Sequence, residues 1–263
     1  MAFARVNGVV IHHEIRGRKD GPTIVFSNSL GTDFRIWDAL TPLLEGDFRV
    51  LLYDKRGHGL SEAPALPYAM TDHVEDLAAL LRHLGIARTA VVGLSIGGMI
   101  AQGLAAIHPR MVSALVLADT AHKIGTEQSW NARIEAVRGK GIGSIADAIL
   151  GVWFTDAYRR PDNPDFAGYK AMLSRQDVEG YVGSCMALRD CDLTESTRAL
   201  KLPVLVVVGD RDGSTPPDLV RSTAELIPGG RFEIIKDAAH IPCVERPEET
   251  ARLIKDFLGG LPA

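Results

Sequence analysis

Cysteine is scarce in this sequence: Cys185, Cys191 and Cys243 are the only three among 263 residues. An odd count without a C-x-x-C pair argues against a disulfide framework or a zinc site and fits inert packing thiols in a reducing compartment. Basic surface is also missing. The net charge is −4, the pI is near 6.1, and no run of lysine or arginine is long enough to form a patch. Nucleic acid therefore has no electrostatic footprint, and an anionic ligand would need one local cation. No apolar run approaches a membrane span. The N-terminal "MAFARVNGVVIHH" lacks the charged-then-apolar order of a secretion signal. The expectation is a cytoplasmic protein without a nucleic-acid or membrane partner, and nothing in the sequence speaks to oligomeric state. Repeats and low-complexity tracts are absent as well. What is present is 46% hydrophobic and 24% charged residues, enough to bury a large core as one domain or as a domain with an insertion.

Short apolar runs punctuate the chain at "TIVFSN", "RVLLYD", "TAVVGL", "SALVLAD", "PVLVVVGD" and "RFEIIK". Their near-continuous hydrophobicity predicts strands buried on both faces. "ARVN" and "VVIHHEI" flank Asn7-Gly8, the dipeptide favoured in two-residue hairpin turns, so an antiparallel pair is expected first. Helices are predicted over Asp72–Leu84, Ile96–Ile107, Pro217–Ile227 and Pro247–Leu258. Alternating strands and helices imply an α/β fold with a mostly parallel sheet. Residues 121–198 break the alternation, because no convincing strand occurs there and several short helical patterns do. This reads as a helical cap inserted into a core of residues 1–120 and 199–263. It is expected to lie over the carboxyl ends of the strands, where open α/β sheets bind ligands.

In "AVVGLSIGGMIAQ", Gly93-x-Ser95-x-Gly97 falls between a predicted strand and a predicted helix, the context of a nucleophile elbow. A serine hydroxyl is a weak nucleophile near neutrality and needs a general base oriented by an acid. His240, in "KDAAHIPCVERP", follows the last predicted strand and is the favoured base. His12, His13, His83 and His108 fall in strands or helices, where packing or surface roles are expected. His58, in "YDKRGHGLS", is the other loop histidine but precedes the serine, against the order Ser, acid, His. "VLVVVGDRDGSTPP" offers Asp212, preferred as farther into its loop, and Asp210; Asp119 ranks third.

These stretches, "GLSIGGMIAQ", "DKRGHGLSEAP", "GDRDGSTPP" and "AAHIP", resemble the α/β-hydrolase fold over nearly the full length, which implies an eight-stranded sheet flanked by helices. "SNSLGTDFRIWD" carries Asn28-Ser29 where most such hydrolases have His-Gly. That stretch, with "LADTAHKIGTEQSWNARIEAVRGKGI", "VWFTDAYR" and "GYVGSCMALRDCDL", is similar to the 3-oxoadipate enol-lactonases, enzymes of the β-ketoadipate pathway of aromatic catabolism. The resemblance implies Ser95 as nucleophile, Asp212 as acid, His240 as base, and an oxyanion hole from the backbone amides of Leu30 and Ile96. It implies no cofactor and no metal. The alternatives are another cofactor-free hydrolase of this fold, such as a carboxylesterase, perhydrolase or C–C hydrolase, or a hydrolase-fold ligand receptor.

A small anionic lactone would need a cation. In "SWNARIEAV", helical spacing places Trp130, Arg133, Ile134 and Val137 on one face, with a charge amid an apolar stripe. Either Arg133 lays its stem on that face and reaches water, or the stripe faces the pocket. In the second case Arg133 grips the substrate carboxylate and Trp130 walls the ring. Arg138 is the runner-up cation.

Overall fold

Asn7 and Gly8 both take positive φ, 47° and 77°, as a two-residue turn of the I′ kind requires. They fold β1 (Ala2–Val6) back on β2 (Val9–Gly17), with Val6 opposite Val9. The computed structural model describes residues 1–261 of the chain. Six more strands follow: β3 (Thr23–Ser27), β4 (Arg49–Tyr53), β5 (Thr89–Leu94), β6 (Val112–Ala118), β7 (Val204–Gly209) and β8 (Arg231–Ile235). They form one eight-stranded sheet in the order β1-β2-β4-β3-β5-β6-β7-β8, parallel from β4 to β8. Every residue of β5 and of β7 is buried, whereas the edge strand β1 alternates and β8 is only partly covered. The continuous apolar runs therefore mark the centre of the sheet, where both faces are packed.

Helices α1 (Met70–His83) and α2 (Ile96–Ile107) precede a helical segment. It contains α3 (Glu127–Lys140), α4 (Ala146–Trp153), α5 (Pro164–Ser174), α6 (Val178–Asp190) and α7 (Thr194–Arg198), all between β6 and β7. The chain ends with α8 (Pro217–Leu226), α9 (Pro242–Glu245) and α10 (Pro247–Gly259). Helix α1 starts two residues before the Asp72 that marked it in the sequence. Asp72 is its third residue, and its side chain accepts a 2.8 Å hydrogen bond from the Ala69 amide. A carboxylate in the first turn marks a helix start without being its first residue.

The order of strands positions the site. From β3 the chain moves one way to β4 and later returns on the other side of β3 as β5. This switch opens a crevice at the carboxyl ends of β3 and β5. Ser27 is paired with Gly93, and Leu94 with Ala118. The segments leaving β3, β5 and β6 thus emerge side by side. Above them, α6 meets the loop after β4 backbone to backbone. A Cβ on Gly180 would lie 2.2 Å from the Gly57 carbonyl oxygen, so neither position has room for a side chain.

Candidate active site

Ser95 sits at φ 58° and ψ −122°, a left-handed conformation rare for a non-glycine residue and held here by its surroundings. Its amide donates to the Ala118 carbonyl at 3.0 Å, and helix α2 begins at the next residue. The chain turns so tightly that a Cβ on Gly97 would stand 1.9 Å from the Ser27 carbonyl oxygen. Only glycine lets the helix start pass β3 that closely. The strand–serine–helix turn read from the sequence is therefore present.

His240 and Asp212 come together from loops after β8 and β7. His240 Nδ1 lies 3.0 Å from Asp212 Oδ2, and both side chains are buried. Asp212 is secured by three further donors: Ser214 N at 2.7 Å and Thr215 N at 3.1 Å to Oδ1, and Thr215 Oγ1 at 2.6 Å to Oδ2. Burial by itself would raise the pKa of this carboxyl. The His240 charge, with hydrogen bonds from His240 and Thr215, outweighs burial and holds it below the usual value. Asp210 is elsewhere, facing Lys236 at 3.6 Å and Arg211 at 3.8 Å. The structure thus brings Asp212, not Asp210, to the imidazole.

Asp119, the third acid considered, lies in the same cluster, where Asp119, Asp212 and His240 offer ligand-type atoms within 4.8 Å of one another. Its Oδ1 accepts from the Gly209 amide at 2.9 Å. Burial, then the adjacent Asp212 charge, holds its carboxyl well above the usual pKa. Of the two neighbouring acids, Asp119 is shifted up and Asp212 down, so the negative charge is favoured on Asp212. His58 is likewise no base for Ser95: its Nε2 accepts from the Gly31 amide at 3.0 Å, and burial, then the Lys55 charge, holds it neutral.

Ser95 and His240 line a cavity of about 470 Å³ together with Ser29, Leu30 and Thr215 from the strand-end loops. Its other wall comes from the helical segment, including Trp130, Arg133, Ala136, Ile149, Trp153 and Tyr181. Among the described residues, the amides of Leu30 and Ile96 donate to no protein acceptor. They leave β3 and the elbow on adjacent strands, so both N–H groups are free to meet an anion there.

The stripe on α3 divides differently from the sequence expectation. Trp130 and Arg133 reach the cavity, but Ile134 and Val137 are buried away from its lining. Arg133 therefore marks the border of an apolar seam rather than its middle. Its guanidinium carbon stands 5.0 Å over the Trp130 ring, and the Trp130 Nε1 donates to the Ile124 carbonyl at 2.7 Å. Arg133 is the one side chain of fixed charge among the described residues lining the cavity. Arg138 instead pairs with Glu179 at 3.2 Å on the exposed side.

Three polar groups around the site went unnoticed in the sequence. Thr215 braces Asp212, and its position three residues downstream is an Asx-turn pattern that could have flagged it. Glu245 ties the His240 loop, accepting from Ala239 N at 2.8 Å, to the end of α4, accepting from Thr155 Oγ1 at 2.6 Å. Lys55 is buried beneath the loop after β3. Neither of these last two has a local sequence signal, since each depends on a distant partner.

A sequence model of the alpha/beta hydrolase family matches residues 24–253. The chain is 34% identical over 241 residues to 3-oxoadipate enol-lactonase 2 of Acinetobacter baylyi, covering 91% of this chain and 90% of that one. It is 32% identical over 253 residues to 3-oxoadipate enol-lactonase 1 of the same organism, covering 95% and 94%. Among solved structures, the enol-lactonase from Burkholderia xenovorans superposes with a TM-score of 0.95 at 37% identity, covering 98% of this chain and 100% of that one.

Proposed function

The chain belongs to the alpha/beta hydrolase family, and from that premise we propose that it hydrolyses 3-oxoadipate enol-lactone to 3-oxoadipate. The observation that carries this reading is the cavity itself. It joins a serine and a histidine to an apolar wall holding a single guanidinium, Arg133. An enol-lactone with a carboxymethyl arm has one ester carbonyl and one negative charge. Arg133 would take the carboxylate in a charge-assisted hydrogen bond, with Trp130 against the ring and residues 121–198 acting as the cap. The Acinetobacter relatives are named 3-oxoadipate enol-lactonases and the Burkholderia one an enol-lactonase.

In this reading Ser95 Oγ gives its proton to His240 Nε2 and attacks the lactone carbonyl. The Leu30 and Ile96 amides hold the oxyanion of the tetrahedral intermediate. Asp212 fixes the His240 tautomer through Nδ1 and stabilises the imidazolium. Collapse breaks the ring C–O bond, and the enol leaves with the proton from His240. It then converts to the ketone, which makes ring opening effectively one-way. Water, deprotonated by His240, cleaves the acyl-enzyme and restores Ser95. The test follows loss of the enol-lactone by absorbance beside hydrolysis of a simple aryl ester. A kcat/KM for the lactone no higher than for the ester would overturn the substrate assignment and favour a general esterase.

A further inference from the structure

Lys55, just after β4, is 1% exposed. A buried ammonium is costly, and a methionine could fill the same volume without a charge. Burial brings the Lys55 pKa down to about 7 against the opposing charges of Asp54 and Asp33. Yet among the described residues no carboxylate comes within ion-pair distance of the ammonium. Its Nζ instead donates to two carbonyls of one loop, Ser29 at 2.6 Å and Thr32 at 3.4 Å.

The Ser29 oxygen also accepts from Thr32 Oγ1 at 2.8 Å and Thr32 N at 3.3 Å. Three donors thus converge on a single carbonyl. That carbonyl and the Leu30 N–H are the two ends of one planar trans peptide, and they point in opposite directions. Whatever fixes and polarises the C=O therefore aims and polarises the N–H. The next two residues are pinned as well, by Gly31 N on His58 Nε2 at 3.0 Å and by Asn28 Nδ2 on the Thr32 oxygen at 2.5 Å.

We propose that Lys55 is a positioning residue for catalysis: its ammonium, bonded to the Ser29 carbonyl, aims the Leu30 amide at the developing oxyanion and strengthens it as a donor. This rests on the reading of Ser95 as nucleophile and Leu30 as an oxyanion donor. A bond that tightens only as negative charge develops raises kcat and leaves substrate binding alone. Removing an entire oxyanion donor costs roughly 10²–10³ in kcat, so weakening one should cost at least about tenfold.

The test compares wild type, Lys55→Met and Ser95→Ala as full chains, with p-nitrophenyl acetate as substrate and phenylboronic acid as an oxyanion-forming inhibitor. Lys55→Met is expected to lose kcat by at least about tenfold with KM within about twofold, and to bind the boronic acid correspondingly more weakly. An unchanged kcat, or a loss confined to KM, would overturn the proposal. Turnover by Ser95→Ala would instead remove the nucleophile reading beneath it, so the two failures are separable. If Lys55→Met does not fold, wild-type protein labelled with 15N and 13C gives the answer. A scalar coupling across the hydrogen bond from Lys55 Nζ to the Ser29 carbonyl carbon is expected, and phenylboronic acid should move the Leu30 amide resonance. Absence of the coupling, or a Leu30 resonance indifferent to the inhibitor, would refute it.

Discussion

The two walls of the cavity differ in what holds them. At the strand ends, Asp212 takes four hydrogen bonds from His240, Ser214 and Thr215, and the loop after β3 is fastened by Lys55, His58 and Asn28. Opposite, α3, α4 and α6 contribute Trp130, Ala136, Ile149, Trp153 and Leu188, with Arg133 stacked on an indole. Hydrogen bonds are directional and fix atoms to the few tenths of an ångström that acyl transfer demands. Apolar contacts set a volume and are indifferent to small rotations. Under the proposed function the contrast separates two tasks: the strand-end wall performs the reaction, and the helical wall chooses what undergoes it.

Ser95→Ala would break the strand-end wall most severely. It is expected to lower kcat by at least about 10⁴ for lactone and aryl ester alike, with melting temperature little changed; substantial remaining turnover would move the nucleophile elsewhere. Next comes Asp212→Asn, expected to cost on the order of 10³–10⁴ in kcat. Asp210→Asn, facing Lys236 and Arg211 instead, should change kcat less than about threefold. Steady-state kinetics of this pair checks the acid assignment, and a reversed ranking would refute it. On the helical wall, Arg133→Met should lower kcat/KM for the anionic lactone by at least about tenfold, since a hydrogen bond to a charged partner contributes roughly 1.5–3 kcal/mol. An uncharged ester should be hydrolysed as before. Equal losses on both substrates would show Arg133 supporting the wall rather than reading a charge.

The smallest effect is on stability. His58 and His73 are fully buried, and burial, followed by the charge of Lys55 for His58 and of Arg56 for His73, holds both pKa values well below 6.5. Both stay neutral in the folded protein while the unfolded chain takes up protons below about pH 6.5. Their contribution is therefore complete above that pH and is lost as the pH falls toward the folded values, by up to about 1.4 kcal/mol per pH unit for each. Urea unfolding at pH 7 and pH 5.5 should show the decline, and His73→Gln should make it shallower. Both rings lie where α6 meets the rest of the fold: His58 faces the Tyr181 ring at 6.4 Å, and His73 Nε2 is 3.4 Å from Ser184 Oγ.

How much of this was legible depended on whether the cause was local. Asn7-Gly8 turned the chain as its backbone preferences require, and the all-apolar run of β7 announced a central strand. Gly97 and Ser95 marked the elbow because the tight passage beside Ser27 admits no side chain. Asp212 could be ranked above Asp210 by reach alone, yet its bracing by Thr215 needed coordinates. Helical spacing put Ile134 and Val137 beside Arg133, but α6 packs against α3 from a position set by the whole fold, and those two residues are buried while Arg133 lines the cavity. Lys55 was the least readable. A lysine in a charged stretch suggests solvent, and only the fold of the loop after β3 supplies the carbonyls that draw it inside.

The contact between Gly57 and Gly180 has a mechanical consequence. Two backbones touching without side chains between them have no rotamer to adjust, so the N-terminal turn of α6 and the loop after β4 cannot slide past one another. That contact is a fixed pivot. Any widening of the cavity then falls to α3 and α4, which line it, rather than to this end of α6. Exchanging those helices for others of different bulk would retune the entrance while leaving its hinge where it is.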